Sequence, residues 1–256
     1  MPKISIGLSG YSYKAWQGLH RFYPPDIKPA EFLRYYASRY STVELDGVWY
    51  RLPTEKTVET WSQIAPPDFI YAPKAHREIT HIRRLKPEGL TTLNAMLQRL
   101  EPLREMGKLG PILLQLPPNL KRDDGRLETF LESLPTTHRW AIEFRHESWH
   151  TDEIEQLLLR HAIAWAAVET DEREAEHRDT ADFRYVRLRK SAYSESQLNR
   201  WAAHLQEASQ KGKDCFIYCK HEDEGSPWLW ADTLIRLLNL SRASTDTVEE
   251  KNNGQL

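Results

Sequence analysis

The amino-acid sequence predicts a single α/β domain of the closed, TIM-type (β/α)8 barrel class. Three observations carry that expectation. Eight short β-rich apolar runs alternate with helix-like segments between residues 4 and 240, a pattern of α/β folds rather than of antiparallel sandwiches. The chain of 256 residues matches the ordinary size of one such barrel. Charged residues also recur at the far ends of these runs on one parity, as in Glu44 and Asp46, or Arg187 and Arg189. Period-two alternation puts them on one face of each strand, and parallel strands around a ring would bring those faces to one mouth. An open doubly wound sheet is the competing arrangement.

The first strand is expected over Ile4 to Ser9, followed by a loop rich in Gly, Tyr and Trp. Pro29 opens a helix with an apolar stripe of Phe32, Leu33, Tyr36 and Ala37. The second strand runs from Thr42 to Asp46, and a helix from Thr54 to Ile64 stops before Pro66 and Pro67. Phe69 to Ala75 reads as the third strand. A long connection with His76, His81 and Pro87 leads to a helix over Leu90 to Met106, which Gly107 closes. Ile112 to Leu116, Trp140 to Arg145 and Ile163 to Glu169 are the next strands, with helices near Leu127 to Leu134 and over Asp152 to His161. A polar connection without helical amphipathy reaches the seventh strand, Phe183 to Arg189. Glu195 to Gln210 is helical, Cys215 to Lys220 is the eighth strand, and Trp228 to Leu240 is the closing helix. Residues 1–240 thus form the domain. Residues 241–256 are polar and expected to be a flexible tail.

Bulk properties restrict the partners. Hydrophobic residues make up 40% and charged residues 28%, with a formal net charge of -2, so no global attraction draws the chain to nucleic acid or an anionic membrane. No apolar stretch reaches the roughly 18 residues of a membrane-spanning helix, and the start runs directly into a strand without a signal-peptide core. A cytoplasmic location is expected. Cys215 and Cys219, four apart on one strand, would sit about 13 Å from each other, too far for a mutual disulfide.

The chain resembles the DUF72, or YecE-like, family. The motifs are Gly7-Leu8-Ser9-Gly10-Tyr11-Ser12-Tyr13 with Trp16, Trp49-Tyr50-Arg51-Leu52-Pro53, Ala72-Pro73-Lys74, Leu113-Leu114-Gln115-Leu116-Pro117-Pro118, Glu143-Phe144-Arg145-His146-Glu147-Ser148-Trp149 and Tyr185-Val186-Arg187-Leu188. The resemblance extends to about Leu240 and implies a TIM-type barrel, without an assigned chemistry. Two stretches depart from the family pattern. Arg189-Lys190 stands where a His-Gly pair is common, and the exit of the eighth strand is the charged Lys220-His221-Glu222-Asp223-Glu224. Both make the mouth more charged.

Glu44 and Glu143, each late in its strand, are candidate catalytic carboxylates that would divide acid and base roles; alternatively they pair with nearby cations. His146 is the candidate histidine for proton transfer. Lys74, Arg145, Arg187 and Arg189 outnumber the three interior acids, Glu44, Asp46 and Glu143, and so favour an anionic ligand. Gln115 and Tyr11 complete the expected binding set. His76, His81, His146 and His221 with the two glutamates would make a divalent-metal site, but no His-x-His or His-Glu-x-x-His signature occurs. Metal and cofactor requirement stay open on the sequence. Aromatic residues including Trp16, Trp49, Trp149, Trp228, Trp230, Tyr13, Tyr23 and Tyr50 would either rim the mouth or pack helices on the barrel.

The leading expectation is an enzyme acting on an anionic or phosphorylated small molecule, with nucleic acid as one conceivable substrate. The alternatives are a glycoside hydrolase, in which two carboxylates flank a sugar, and a noncatalytic nucleotide- or nucleic-acid-binding protein.

Overall fold

A computed structural model of the chain describes residues 2–220 and 226–240. Eight parallel strands follow one another as β1 (Ile4–Ser9), β2 (Thr42–Leu45), β3 (Ile70–Pro73), β4 (Ile112–Gln115), β5 (Trp140–Glu143), β6 (Ala164–Glu169), β7 (Phe183–Leu188) and β8 (Asp214–Cys219). Their order in the sheet is β3-β2-β1-β8-β7-β6-β5-β4. The ring closes between β3 and β4 through Tyr71 N donating to Lys108 O (2.8 Å), Gly110 N to Tyr71 O (2.8 Å) and Ala75 N to Leu113 O (2.9 Å). This is the expected α/β barrel of TIM-like topology.

The helices are α1 (Phe32–Ala37), α2 (Gly47–Tyr50), α3 (Glu55–Ile64), α4 (Leu90–Glu105), α5 (Asp124–Glu132), α6 (Asp152–Arg160), α7 (Glu195–Gln210) and α8 (Pro227–Leu237). Several of the longer ones follow from a side-chain cap and an apolar stripe. Thr151 accepts from Ile154 N to start α6, which buries Ile154, Leu157 and Leu158 at helical spacing. Ser194 and Gln197 form a capping box on α7, whose Leu198, Trp201, Ala202 and Leu205 face inward. The β6–β7 connection contains no helix, in keeping with its lack of amphipathy. No described helix is long and apolar enough to cross a membrane. The expected tail, residues 241–256, lies outside the described residues.

Two apolar layers result. The larger lies between strands and helices, and the smaller fills the barrel with Ala72, Leu113, Ala141, Ala164, Ala166 and Val168 against Phe183, Tyr185, Phe216 and Tyr218. Small residues on β3, β5 and β6 therefore accommodate four aromatic rings from β7 and β8, as close packing of a barrel interior requires. Continuing two residues up the same parity brings Lys74, Gln115, Glu143 and Arg187 into the next layer. The apolar plug thus sets a floor under a charged one.

One close approach shapes β1. A Cβ on Gly7 would sit 1.9 Å from the Thr42 carbonyl oxygen and 2.9 Å from the Tyr36 hydroxyl. That hydroxyl accepts from Leu8 N (2.6 Å) and donates to Thr42 O (3.0 Å), so a side chain from α1 completes the β1–β2 ladder.

Candidate functional site: a charged layer at the barrel mouth

Arg187 organises the layer. It is fully buried, with Nη1 donating to Glu143 Oε2 at 2.6 Å and Nη2 to Glu44 Oε1 at 2.7 Å. One guanidinium from β7 thereby ties β2 to β5 across the barrel. Glu44 also accepts from Ser9 Oγ (2.6 Å) and Tyr185 OH (2.7 Å). Glu143 accepts from Gln115 Nε2 at 2.9 Å on each oxygen and from Arg145 Nε at 3.0 Å, with Arg189 Nη1 at 3.9 Å. Both carboxylates are buried, and such ions persist inside a protein only when charge and hydrogen bonding are both satisfied.

The electrostatics follow from these contacts. Burial alone would raise the Glu143 pKa, but Arg187, Arg145, Arg189 and Gln115 together hold it well below the usual carboxylate range. Burial likewise works against the Arg187 cation, yet Glu44, Glu143 and Asp46 drive its pKa well above the ordinary value. Burial, with Glu44 next, pushes the Tyr185 hydroxyl far up, so it stays a donor.

Asp46, just beyond β2, differs from the two glutamates. Its Oδ2 accepts from Lys220 Nζ at 3.0 Å. Its Oδ1 is buried and has no hydrogen-bond partner among the described residues, with Lys74 Nζ at 3.8 Å and Arg187 Nη2 at 3.9 Å. Against the effect of burial, Lys220, Arg187 and Lys74 keep its pKa low. Lys74 lies over the Trp49 ring, 5.0 Å from the centroid. Burial, partly opposed by Asp46 and reinforced by Arg187, lowers its pKa to about 8.

Two cavities open on this layer. One of about 610 Å³ is lined by Arg145, Arg173 and Arg189 and by the acids Glu143, Asp171 and Glu172, together with Thr170 of the β6–β7 connection. The other, about 510 Å³, lies over the ends of β1 and β2 and is lined by Tyr11, Tyr13, Asp46, Tyr50 and Trp61. Asp46 lines the second and Glu143 the first, and Arg187 reaches toward both acids.

Glu44, Lys74, Gln115, Glu143, Arg145, Arg187 and Arg189 therefore come together as one network. Tyr11 stands apart from it, accepting from Trp61 Nε1 at 3.0 Å in the wall of the second cavity. His146 is spent locally: its Nδ1 accepts from Ser148 N (3.1 Å) and lies 2.9 Å from Ser148 Oγ, capping the turn Glu147–Trp149. His76 Nδ1 similarly accepts from Glu78 N. His81 sits edge-on to Trp49, its pKa lowered to about 4 by burial, Lys74 and Arg145. His221 lies outside the described residues. Among the described residues, no group of three or more His, Cys, Asp or Glu side chains is placed to hold a metal ion. The aromatic set is largely packing: Tyr23, Trp149, Trp228 and Trp230 are buried, while Tyr13 and Tyr50 are exposed.

The sequence left several participants unassigned. Ser9 and Tyr185 share the parity of their charged neighbours and were within reach of that rule. Lys220 follows β8, at the family departure. Arg173 lies in a connection without periodicity, where nothing in the pattern marks it.

The family model described as "Protein of unknown function DUF72" matches residues 5–255. The chain belongs to the DUF72 family. Among curated DUF72 relatives, the UPF0759 protein YunF of Bacillus subtilis is 24% identical over 93% of this chain and 95% of its own length. The UPF0759 protein YecE of Escherichia coli is 31% identical over 61% of this chain and 54% of its own. A DUF72 crystal structure from Thermotoga maritima superposes with a TM-score of 0.79 at 25% identity, covering 93% of this chain and 99% of that one.

Proposed function

We propose that this DUF72 barrel is an enzyme acting on a small anionic molecule, with the anion held on Arg145, Arg173 and Arg189 and proton transfer centred on Asp46. The carrying observation is the imbalance of charge. Among the described residues directly around Arg187, the cations Lys74, Arg145, Arg187, Arg189 and Lys220 face the acids Glu44, Asp46 and Glu143, with Asp171 and Glu172 farther out in the first cavity. A partly buried excess of positive charge is costly alone and favours an anion. Guanidinium forks suit phosphate or carboxylate oxygens.

Roles within the layer divide by saturation. Glu44 and Glu143 have their oxygens committed to Arg187, Tyr185, Ser9, Gln115 and Arg145, which supports a positioning role for them. Asp46 keeps one buried oxygen without a hydrogen-bond partner among the described residues, the acceptor assigned to a substrate hydroxyl. His146, engaged with Ser148, has no part in this assignment. A glycosidase would need two carboxylates open to a sugar, which the clamped glutamates do not offer. Metal participation is not part of the proposal.

The test is turnover. The protein would be incubated with a panel of phosphorylated and carboxylated metabolites and followed by ³¹P and ¹H NMR. We expect conversion of an anionic compound, and Asp46→Asn to lower turnover ~100-fold or more while retaining affinity. Unchanged turnover in Asp46→Asn, or conversion confined to neutral compounds, would reject the assignment. Retained binding without conversion would favour a noncatalytic binding protein.

A further inference from the structure

We propose that Lys74 is a nucleophile, joining the carbonyl carbon of an anionic aldehyde or ketone as a Schiff base. This rests on the anion site above and narrows its substrate class to carbonyl compounds. Three features of the geometry point to it. Lys74 emerges at the mouth immediately after β3, and its side chain keeps only a tenth of its surface exposed. Among the described residues its Nζ contacts are Asp46 Oδ1 at 3.8 Å, beyond hydrogen-bond distance, and the face of Trp49. A lysine used as a structural ion-pair partner looks different here: Lys220 binds Asp46 at 3.0 Å, and Lys190 binds Glu169 at 3.0 Å and Glu174 at 3.1 Å. Lys74 is thus held in place without having its amine consumed.

The surroundings favour the neutral amine. Burial and Arg187, which lies on the same carboxylate, outweigh the opposing pull of Asp46, Glu44 and Glu143. A desolvated lysine beside another cation is the usual route to an amine nucleophile. The pKa near 8 leaves about half the amines unprotonated at pH 8, against ~0.3% for an ordinary lysine.

The chemistry balances without a further reactant. Asp46 takes one ammonium proton, the nitrogen lone pair forms the C–N bond, and the carbonyl oxygen is protonated to give a carbinolamine. Loss of that oxygen as water, carrying two of the original three ammonium protons, leaves a protonated imine. The iminium then acts as an electron sink for a bond at the neighbouring carbon.

The probe is dihydroxyacetone phosphate with the full chain at pH 8, followed by sodium borohydride and peptide mapping by mass spectrometry. Borohydride adds hydride to the iminium carbon and fixes the adduct. We expect labelling at Lys74 about tenfold or more above exposed Lys56, loss of that label in Lys74→Met, and much weaker labelling by neutral dihydroxyacetone. Mapping of the wild-type protein stands even if the variant folds poorly. Binding of the phosphate ester, read by ³¹P line broadening in the same sample, without a Lys74 adduct overturns the nucleophile while leaving the anion site intact. Equal labelling of Lys74 by both compounds, without phosphate-dependent broadening, overturns the anionic substrate class and the function above with it.

Discussion

Arg187 is the residue on which the mouth depends. Its guanidinium holds two buried carboxylates at 2.6 and 2.7 Å, so removing it strands both in a low-dielectric layer. We expect Arg187→Met to lower stability by about 3–5 kcal/mol, measured by urea unfolding at pH 7. A loss below about 1 kcal/mol would show that the pairs are not satisfied as described. The Glu143 carboxyl titrates lower in the folded protein than its ordinary 4.5. The unfolded chain therefore binds the proton first as pH falls. Its stabilising contribution is complete above about pH 4.5 and declines below it, toward the folded-state value. Unfolding measured from pH 7 down to pH 3 would show this decline, and Glu143→Gln would flatten it. At this scale the sequence was legible through parity. Glu44, Lys74, Gln115, Glu143 and Arg187 follow from alternation on their strands, but which acid was committed and which was open did not. Saturation of an oxygen depends on partners from other strands, such as Tyr185 on Glu44, that no single segment encodes.

Elements place the remaining cations. β5 ends at Glu143, two residues before its expected end, so Arg145 lies beyond the strand and turns back onto Glu143 with its side chain about 30% exposed. The bounds of α7 agree with expectation because Ser194 and Gln197 fix its start. α5 starts earlier than expected because Asp123 accepts from Arg126 N and caps it. The β6–β7 connection was correctly expected to lack an amphipathic helix, but its anchoring is a three-dimensional matter. Arg178 binds Glu155 at 2.7 Å and Glu176 at 3.0 Å and lies over the Trp165 ring, while Arg173 Nη1 meets His150 Nε2 at 3.0 Å. This holds Arg173 over the first cavity. We expect Arg178→Ala to weaken phosphate affinity about 3–10-fold by loosening the connection, with a modest fall in Tm because the mostly buried Arg178 side chain also covers Trp165. Calorimetric titration and thermal unfolding of the same sample would check both halves. An unchanged affinity would remove the connection from the site.

For the whole molecule, the sequence expectation of eight parallel strands and one mouth holds because β2, β3, β5 and β7 carry charged residues at or just beyond their far ends, above apolar ones. Phe183, Tyr185 and Arg187 climb β7 in that order, while Ala141 and Glu143 do so on β5. Folding the strands into a ring then turns eight separate sequence patterns into a floor and a charged layer. The net charge of -2 averages over the whole chain and so says nothing of this layer. The local excess at the mouth is the claim from which the proposed chemistry follows. Isothermal titration of the protein with inorganic phosphate, beside the Arg145→Ala, Arg189→Ala double variant, tests it most directly. Saturable binding by the wild-type protein and at least tenfold weaker binding by the variant, ~1.4 kcal/mol, are expected. Equal affinity in the two proteins, or no binding by either, would contradict it.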